Sequence, residues 1–267
     1  MSDPALEDQI AAATAYENLY VGALFQEWAP RVAEAAPIQP GHRVLDVACG
    51  TGILAREALA RVGANGRIAG LDANPGMLAV AERISPDIEW QQGTAESLPY
   101  PDQSFDVVVS QFGLMFFPDR QAALREMLRV LVPGGRLAIA VWDAIENSPV
   151  YPSWAALLER SAGQAAADAL RAPFVLGDRN ELETLFENAG ASEIAITTTN
   201  GTANFPSIQS LAEADLRGWL PVMDVILTET HIQRLLQEAE DLLRPHLTAD
   251  GNMVFDSPAH IVTATRT

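Results

Sequence analysis

Cysteine is almost missing from this chain: Cys49 is the only one in 267 residues. An internal disulfide is excluded, and a reducing compartment is the expectation. Positive charge is scarce too. Against 35 Asp and Glu stand 17 Lys and Arg, a formal net charge of −18. Such a field repels phosphate backbones and anionic lipid surfaces, so neither a nucleic-acid partner nor membrane insertion is expected. The four histidines, His42, His231, His246 and His260, include no pair with metal-ligand spacing. With no Cys/His cluster either, no metal site is expected, and only His231 and His246 are considered as a general base. No apolar run approaches the ~18 residues that suggest a membrane-spanning helix. Residues 1–8 lack the basic and apolar regions of a secretory signal. A cytoplasmic protein is the default expectation.

What the chain does contain is an ordinary globular share of hydrophobic residues, 48%, arranged in alternation. Strand-like runs at 43–48, 67–71, 88–92, 105–110, 136–142, 193–199 and 261–266 are separated by helical patterns, which predicts a parallel sheet covered by helices. Asn74 followed by Pro75, and Asp119, read as helix starts; Asp178 with Glu181 resembles a capping box, and Gly190 reads as a helix end. In the helix after Asp119, Leu124, Met127, Leu128 and Leu131 are read as inward and Arg125, Glu126 and Arg129 as outward. Two regions stand outside the alternation. Residues 5–36 look helical, and residues 207–254 carry a stripe at Ile232, Leu235, Leu236, Ala239, Leu242 and Leu243. The division is an N-terminal helical cap (1–40), a core (41–206), a helical insertion (207–254) and a last core strand (255–267). Cap and insertion are read as coverings over the strand ends, where open α/β sheets bind ligands; the alternative is mere padding.

The most informative segment is Val44-Leu45-Asp46-Val47-Ala48-Cys49-Gly50-Thr51-Gly52. Its glycines let the backbone turn tightly from strand to helix, so that a ligand can approach main-chain N–H groups. Gly50-Thr51-Gly52-Ile53-Leu54-Ala55 also satisfies the dinucleotide pattern, a weak signal alone. Asp46 discriminates. A carboxylate at the tip of the first strand repels a pyrophosphate but favours the ammonium and sulfonium of S-adenosylmethionine. Asp72, 20 residues beyond Gly52 and at the end of the second strand, can accept hydrogen bonds from both ribose hydroxyls.

Beyond this turn, Asn74-Pro75-Gly76-Met77-Leu78, Gly93-Thr94-Ala95-Glu96-Ser97-Leu98-Pro99-Tyr100, Ser104-Phe105-Asp106-Val107-Val108 and Leu131-Val132-Pro133-Gly134-Gly135-Arg136-Leu137 follow in order. Together these motifs resemble the class I S-adenosylmethionine-dependent methyltransferases, especially the ubiquinone/menaquinone-biosynthesis branch (methyltransferase type 11). The resemblance is strong over residues 40–145. It implies an α/β, Rossmann-like seven-stranded sheet of order 3-2-1-4-5-7-6, the last strand antiparallel, with helices on both faces. It also implies S-adenosylmethionine as cofactor and S-adenosylhomocysteine as product. Carried over by position, Asp46, Ala48 and Gly50 surround the methionine moiety, Gly52 completes the turn, and Asp72 takes the ribose. Ala73 and Met77 pack near the adenine, and Ala95 offers it a main-chain N–H. Thr94 stands where relatives often have Asp, and its hydroxyl is the weaker acceptor for the adenine amino group. Glu96 belongs to the same loop, and Gln111 faces the cofactor's amino-acid end.

Five aromatic or sulfur side chains are candidate walls for the acceptor: Tyr16, Trp28, Trp142, Trp219 and Met223. For the aromatics, plain core packing is the competing reading. Methyl transfer is an in-line displacement from an already activated donor, so positioning and exclusion of water supply much of the catalysis and no catalytic residue is legible. The expected function is methyl transfer to an unidentified small molecule. Alternatives are a cofactor-binding protein without turnover, an S-adenosylmethionine-dependent enzyme of another reaction such as a cyclisation, and a nicotinamide-dependent oxidoreductase, which Asp46 disfavours. The pattern leaves monomer and homodimer open.

Overall fold

The computed structural model describes residues 4–267; of the segment 1–8 read above for a signal, residues 1–3 lie outside the described residues. The cap consists of α1 (Pro4–Tyr16), a π-helical segment (Glu17–Phe25) and α2 (Trp28–Ala35). The alternation follows as β1 (Arg43–Val47), α3 (Ile53–Val62), β2 (Arg67–Asp72), α4 (Pro75–Ile84), β3 (Glu89–Gln92), β4 (Phe105–Gln111), α5 (Arg120–Val130) and β5 (Leu131–Trp142). Then come α6 (Tyr151–Ala162), α7 (Gln164–Arg171), α8 (Arg179–Ala189) and β6 (Ser192–Phe205). The insertion holds α9 (Ile208–Glu213), a second π-helical segment (Ala214–Trp219), α10 (Leu220–Val222) and α11 (Glu229–Leu243), and β7 (Met253–Thr265) closes the sheet.

The seven strands form one sheet in the order β3-β2-β1-β4-β5-β7-β6. β1 to β5 run parallel, and β7 is antiparallel to both β5 and β6. The central strands carry continuous apolar runs because helices cover the sheet: Val107, Val108 and Val109 in β4 and Leu137 to Val141 in β5 are all buried. Asn74 and Asp119 cap their helices as read, Asn74 Oδ1 accepting from Gly76 N at 2.8 Å and Asp119 Oδ1 from Ala122 N at 2.9 Å. Asp178 Oδ1 likewise accepts from Asn180 N and Glu181 N, and Gly190 ends that helix in the left-handed conformation.

Three expectations need correction. β6 and β7 are about twice as long as the runs 193–199 and 261–266. Beyond Pro258, β7 pairs with β6 alone, as a twisted ribbon reaching toward the cap. Pro258 has no N–H, and Gly201 opposite Ser257 has no side chain, so both looked like strand ends. The cap is not continuous α-helix. In an α-helix of 3.6 residues per turn, Tyr16 and Phe25, nine apart, lie about two and a half turns apart and face opposite ways. The wider π turn, with Gln26 N donating to Val21 O at 2.8 Å, brings their rings to 5.4 Å and Tyr20 beside both. Finally, Glu126 and Arg129 are not simply outward: Glu126 accepts from Leu98 N at 2.8 Å, and Arg129 donates to Tyr100 O and Leu98 O. This pair fastens the loop that carries Thr94 and Ala95.

The stripe of α11 buries Ile232, Leu235, Leu236, Ala239 and Leu243, with Leu242 only partly covered. α11 packs on α6 and α9 rather than on the sheet, so it supports the second π segment from behind.

Candidate active site

The turn after β1 is shaped by three left-handed residues within five positions: Ala48 at φ 58°, Gly50 at 54° and Gly52 at 89°. Glycine adopts this region freely; Ala48 does so at a cost of order 1–2 kcal/mol, a strain typical of ligand sites. Gly52 has a second reason to be glycine. Trp90 of β3 reaches across Gly70 of β2, and a Cβ at Gly70 or Gly52 would lie 2.3 or 2.4 Å from its indole. The indole, anchored by Nε1 donating to Ser85 O at 2.9 Å, thus braces the turn from beneath. Trp90 was not singled out from sequence, since one tryptophan in a short polar strand carries no motif.

Asp72, at the tip of β2, organises the turn. Its Oδ2 accepts from Gly50 N at 2.8 Å and its Oδ1 from Asn74 N at 2.9 Å. Burial nevertheless pushes its carboxyl above the usual range, opposed by the Asn74, Gly50 and Ala73 N–H groups. Asp46 is more exceptional. It is 1% exposed, and neither carboxylate oxygen has a hydrogen-bond partner. Burial drives its carboxyl well above the ordinary value, against a weaker pull from the Ala55 N–H, which lies outside hydrogen-bond geometry. Gln111, at the end of β4, donates Nε2 to Phe25 O at 3.0 Å while its buried Oε1 has no donor. Three acceptor atoms on Asp46 and Gln111 are therefore left without donors. A buried acceptor without a donor costs about 1–3 kcal/mol, more when charged. A ligand ammonium, three donors and no acceptor, answers that deficit. The site fits the amino-acid end of S-adenosylmethionine.

The remaining cofactor candidates lie around this turn. Ala73 and Thr94 are exposed, Met77 and Glu96 are half-buried, and Ala95 is buried. Above the turn lies Tyr16, whose ring would be 4.0 Å from a Cβ at Gly50. Arg56 ties cap to turn, donating to Thr51 O at 2.7 Å and to Glu17 Oε1 at 3.1 Å. Cys49 is buried, and burial together with Asp46 and Asp72 raises its thiol well above the usual range, which removes it as a nucleophile.

A cavity of about 610 Å³ opens beside Tyr16, Asn74 and Met77 and runs between cap and insertion. Its walls carry a cluster of aromatic rings: Tyr20, Phe25, Phe112, Phe116, Trp142, Tyr151, Phe174 and Trp219. Phe112 holds φ 57° and stacks flat on Trp142 with centroids 3.7 Å apart. Of the residues expected as acceptor walls, Tyr16, Trp142 and Trp219 line the cavity. Trp28 and Met223 do not. Trp28 is wholly buried, edge-on to Phe112 and Trp142, and is a core anchor of the cap. Met223 is partly buried against the core, with its N–H bonded to Leu220 O at 3.0 Å. His231 and His246 are also absent from the cavity wall. Among the described residues no group of three or more His, Cys, Asp and Glu is placed to hold a metal. Several wall residues were missed, Phe112, Phe116, Tyr151 and Phe174 among them, and also Asp215, in the second π segment, which carries no sequence motif.

Comparison with known proteins agrees with this geometry. Residues 45–139 match a family described as methyltransferase domain. The demethylmenaquinone methyltransferase of Renibacterium salmoninarum is 35% identical over 186 residues, 66% of this chain and 77% of that protein. The chain belongs to the class I S-adenosylmethionine-dependent methyltransferases. The ubiquinone/menaquinone biosynthesis C-methyltransferase of Ectopseudomonas mendocina is 41% identical over 124 residues, 44% of this chain and 48% of that protein. This methyltransferase chain thus spans about half the length of several curated relatives it matches. Its fold is shared with a Haemonchus contortus phosphoethanolamine N-methyltransferase solved with S-adenosylhomocysteine, at TM-score 0.61 and 17% identity, covering 96% of this chain and 57% of that one. The family match covers residues 45–139 and so does not include Tyr151, Phe174, Asp215 or Trp219. Among the described residues no helix is long and apolar enough to cross a membrane.

Proposed function

We propose that this protein transfers the methyl group of S-adenosylmethionine to a small molecule held in the aromatic cavity, and that it acts in the cytoplasm. The observation that carries the reading is Asp46, buried with two donor-less oxygens at the glycine turn. Asp46 and Gln111 receive the cofactor's ammonium, Ala48, Gly50 and Gly52 shape the turn around its methionine moiety, and Asp72 accepts from its ribose hydroxyls. Ala73 and Met77 flank the adenine, Ala95 donates to it, and Thr94 accepts from its amino group, with Glu96 in the same loop. The bound cofactor supplies a methyl group already activated on a sulfonium. The chain's task is then to position the acceptor and to keep water out, which the aromatic walls do. Of the named relatives, one is a demethylmenaquinone methyltransferase and another a ubiquinone/menaquinone biosynthesis C-methyltransferase. Here the acceptor is set by the walls of this cavity, several of which, Trp142, Tyr151, Phe174 and Trp219 among them, lie outside residues 45–139. A net charge of −18 disfavours nucleic acid as that acceptor.

The test is calorimetric titration with S-adenosylmethionine, S-adenosylhomocysteine and NAD. Saturable binding of the first two and none of NAD is expected; the reverse overturns the reading. A second prediction separates wall from support. Trp219→Ala is expected to change acceptor KM or kcat while S-adenosylhomocysteine affinity stays within about 0.5 kcal/mol, as for sites without shared partners. Trp219 donates Nε1 to Ala169 O at 2.7 Å and tilts against Phe116, so its loss opens the cavity wall. Met223→Ala should leave acceptor kinetics unchanged. Normal turnover in the Trp219 variant removes that residue from the acceptor site.

A further inference from the structure

The aromatic cavity contains one carboxylate set deep in its wall. Asp215 is 3% exposed; its Oδ1 accepts from the Tyr20 hydroxyl at 3.0 Å and its Oδ2 from Trp154 Nε1 at 2.9 Å. A carboxylate offers about four acceptor positions. Two are taken, and Asp215 still lines the cavity. Among the described residues no cation answers it. Arg217 shares the wall, but its guanidinium is held by Glu229 at 2.7 and 2.8 Å. On α6, Tyr151 and Trp154 face the carboxylate; on the first π segment, Tyr20 does; at the cavity mouth stands Asp8, itself acidic and exposed.

A buried charge without a counter-ion is costly, by several kcal/mol after relaxation. Holding the Tyr20 hydroxyl and the Trp154 N–H in place needs acceptor oxygens only, which a neutral side chain also has. What a carboxylate adds is the capacity to take a proton. Its position suits that role. Tyr20, bonded to Asp215, lies 5.8 Å from the Tyr16 ring, and Tyr16 covers the glycine turn, so the carboxylate sits on the cofactor side of the cavity.

On the methyltransferase reading given above, we propose that Asp215 is the proton acceptor of the acceptor subsite, and that the cavity takes an aromatic molecule whose nucleophilic atom carries an acidic proton, an aromatic hydroxyl or an ammonium. The O–H or N–H bond breaks and its proton passes to an Asp215 oxygen. The electron pair left on oxygen or nitrogen forms the new bond to the methyl carbon. The methyl–sulfur bond breaks, its pair returns to sulfur, and the sulfonium becomes a neutral thioether. Burial raises the Asp215 carboxyl to about 7, so it exchanges protons near neutral pH. Tyr20 and Tyr151 are pushed far above that range and stay protonated.

The test titrates 4-ethylphenol, phenethylamine and ethylbenzene into the full-length protein, with and without S-adenosylhomocysteine, following calorimetric heat. At least one of the first two is expected to bind about tenfold or more tightly than ethylbenzene, the scale of a hydrogen bond to a charged group. Which of the two binds tightly identifies hydroxyl or ammonium. The advantage should rise with pH through about 7, because the ionised carboxylate is the stronger, charge-assisted acceptor, and should fall in Asp215→Asn. Equal affinity for all three probes, or an Asn variant that keeps the full preference, overturns the proposal. If melting curves show the Asn variant unfolded, the wild-type pH profile decides: a preference flat between about pH 5.5 and 8.5 overturns it. Failure of S-adenosylhomocysteine to bind instead counts against the methyltransferase reading, and the cofactor-free titration still reports on Asp215.

Discussion

Asp72→Ala is expected to weaken S-adenosylhomocysteine binding by about 3 kcal/mol, roughly a hundredfold. Two losses combine. The ribose hydroxyls lose an ionised acceptor, worth about 1.5–3 kcal/mol for a charged-group hydrogen bond. The turn also loses its own fastening, because Gly50 N and Asn74 N donate to the two Asp72 oxygens at 2.8 and 2.9 Å. Gly50, at φ 54°, loses the acceptor that fastens its N–H. Asp72→Asn keeps one acceptor oxygen and should lose less. Calorimetric titration of both variants checks this, with melting temperature as the control for folding. An alanine variant that binds with wild-type affinity would falsify the ribose role.

Trp28→Ala is expected to cost about 3–5 kcal/mol of folding stability, as for a wholly buried aromatic. Trp28 wedges between cap and sheet, edge-on to Phe112 at 5.7 Å and to Trp142 at 6.0 Å. The ribbon of β6 presses on it from the other side. A Cβ at Gly201 would sit 2.4 Å from the indole, so glycine there is what lets the strand approach. The indole Nε1 is buried without an acceptor. Trp28→Phe discards that unsatisfied donor and keeps most of the ring, so it should be far milder. Urea unfolding curves of the two variants separate the cases. A Trp28→Ala protein of normal stability but altered acceptor kinetics would make Trp28 a pocket wall after all.

The legible part of the site was the part built from consecutive residues. Asp46, Gly50 and Gly52 lie within seven positions, and Asp72 follows at the end of the next strand. A turn from strand to helix forces its chemistry into local sequence, since backbone N–H groups can reach a ligand only where glycine permits the path. The same holds for the caps at Asn74, Asp119 and Asp178, each satisfied by N–H groups two or three residues on. The strand order came with the family motifs rather than from pattern alone, and the sheet agrees with it.

The acceptor side was illegible because nothing local encodes it. Trp28, Trp142 and Trp219 are all aromatic residues on apolar segments, and their sequence surroundings do not say which two face space and which one faces the core. That choice depends on how the cap crosses the sheet. Asp215 looked like any acidic residue of an amphipathic insertion, yet its partners Tyr20 and Trp154 are 195 and 61 residues away. By itself the sequence determined the fold class, the glycine turn and the two carboxylates beside it, because strand periodicity and tight turns are short-range constraints. Only the tertiary structure decided what lines the cavity, since burial and unpaired charge are properties of packing between segments that the chain order keeps far apart.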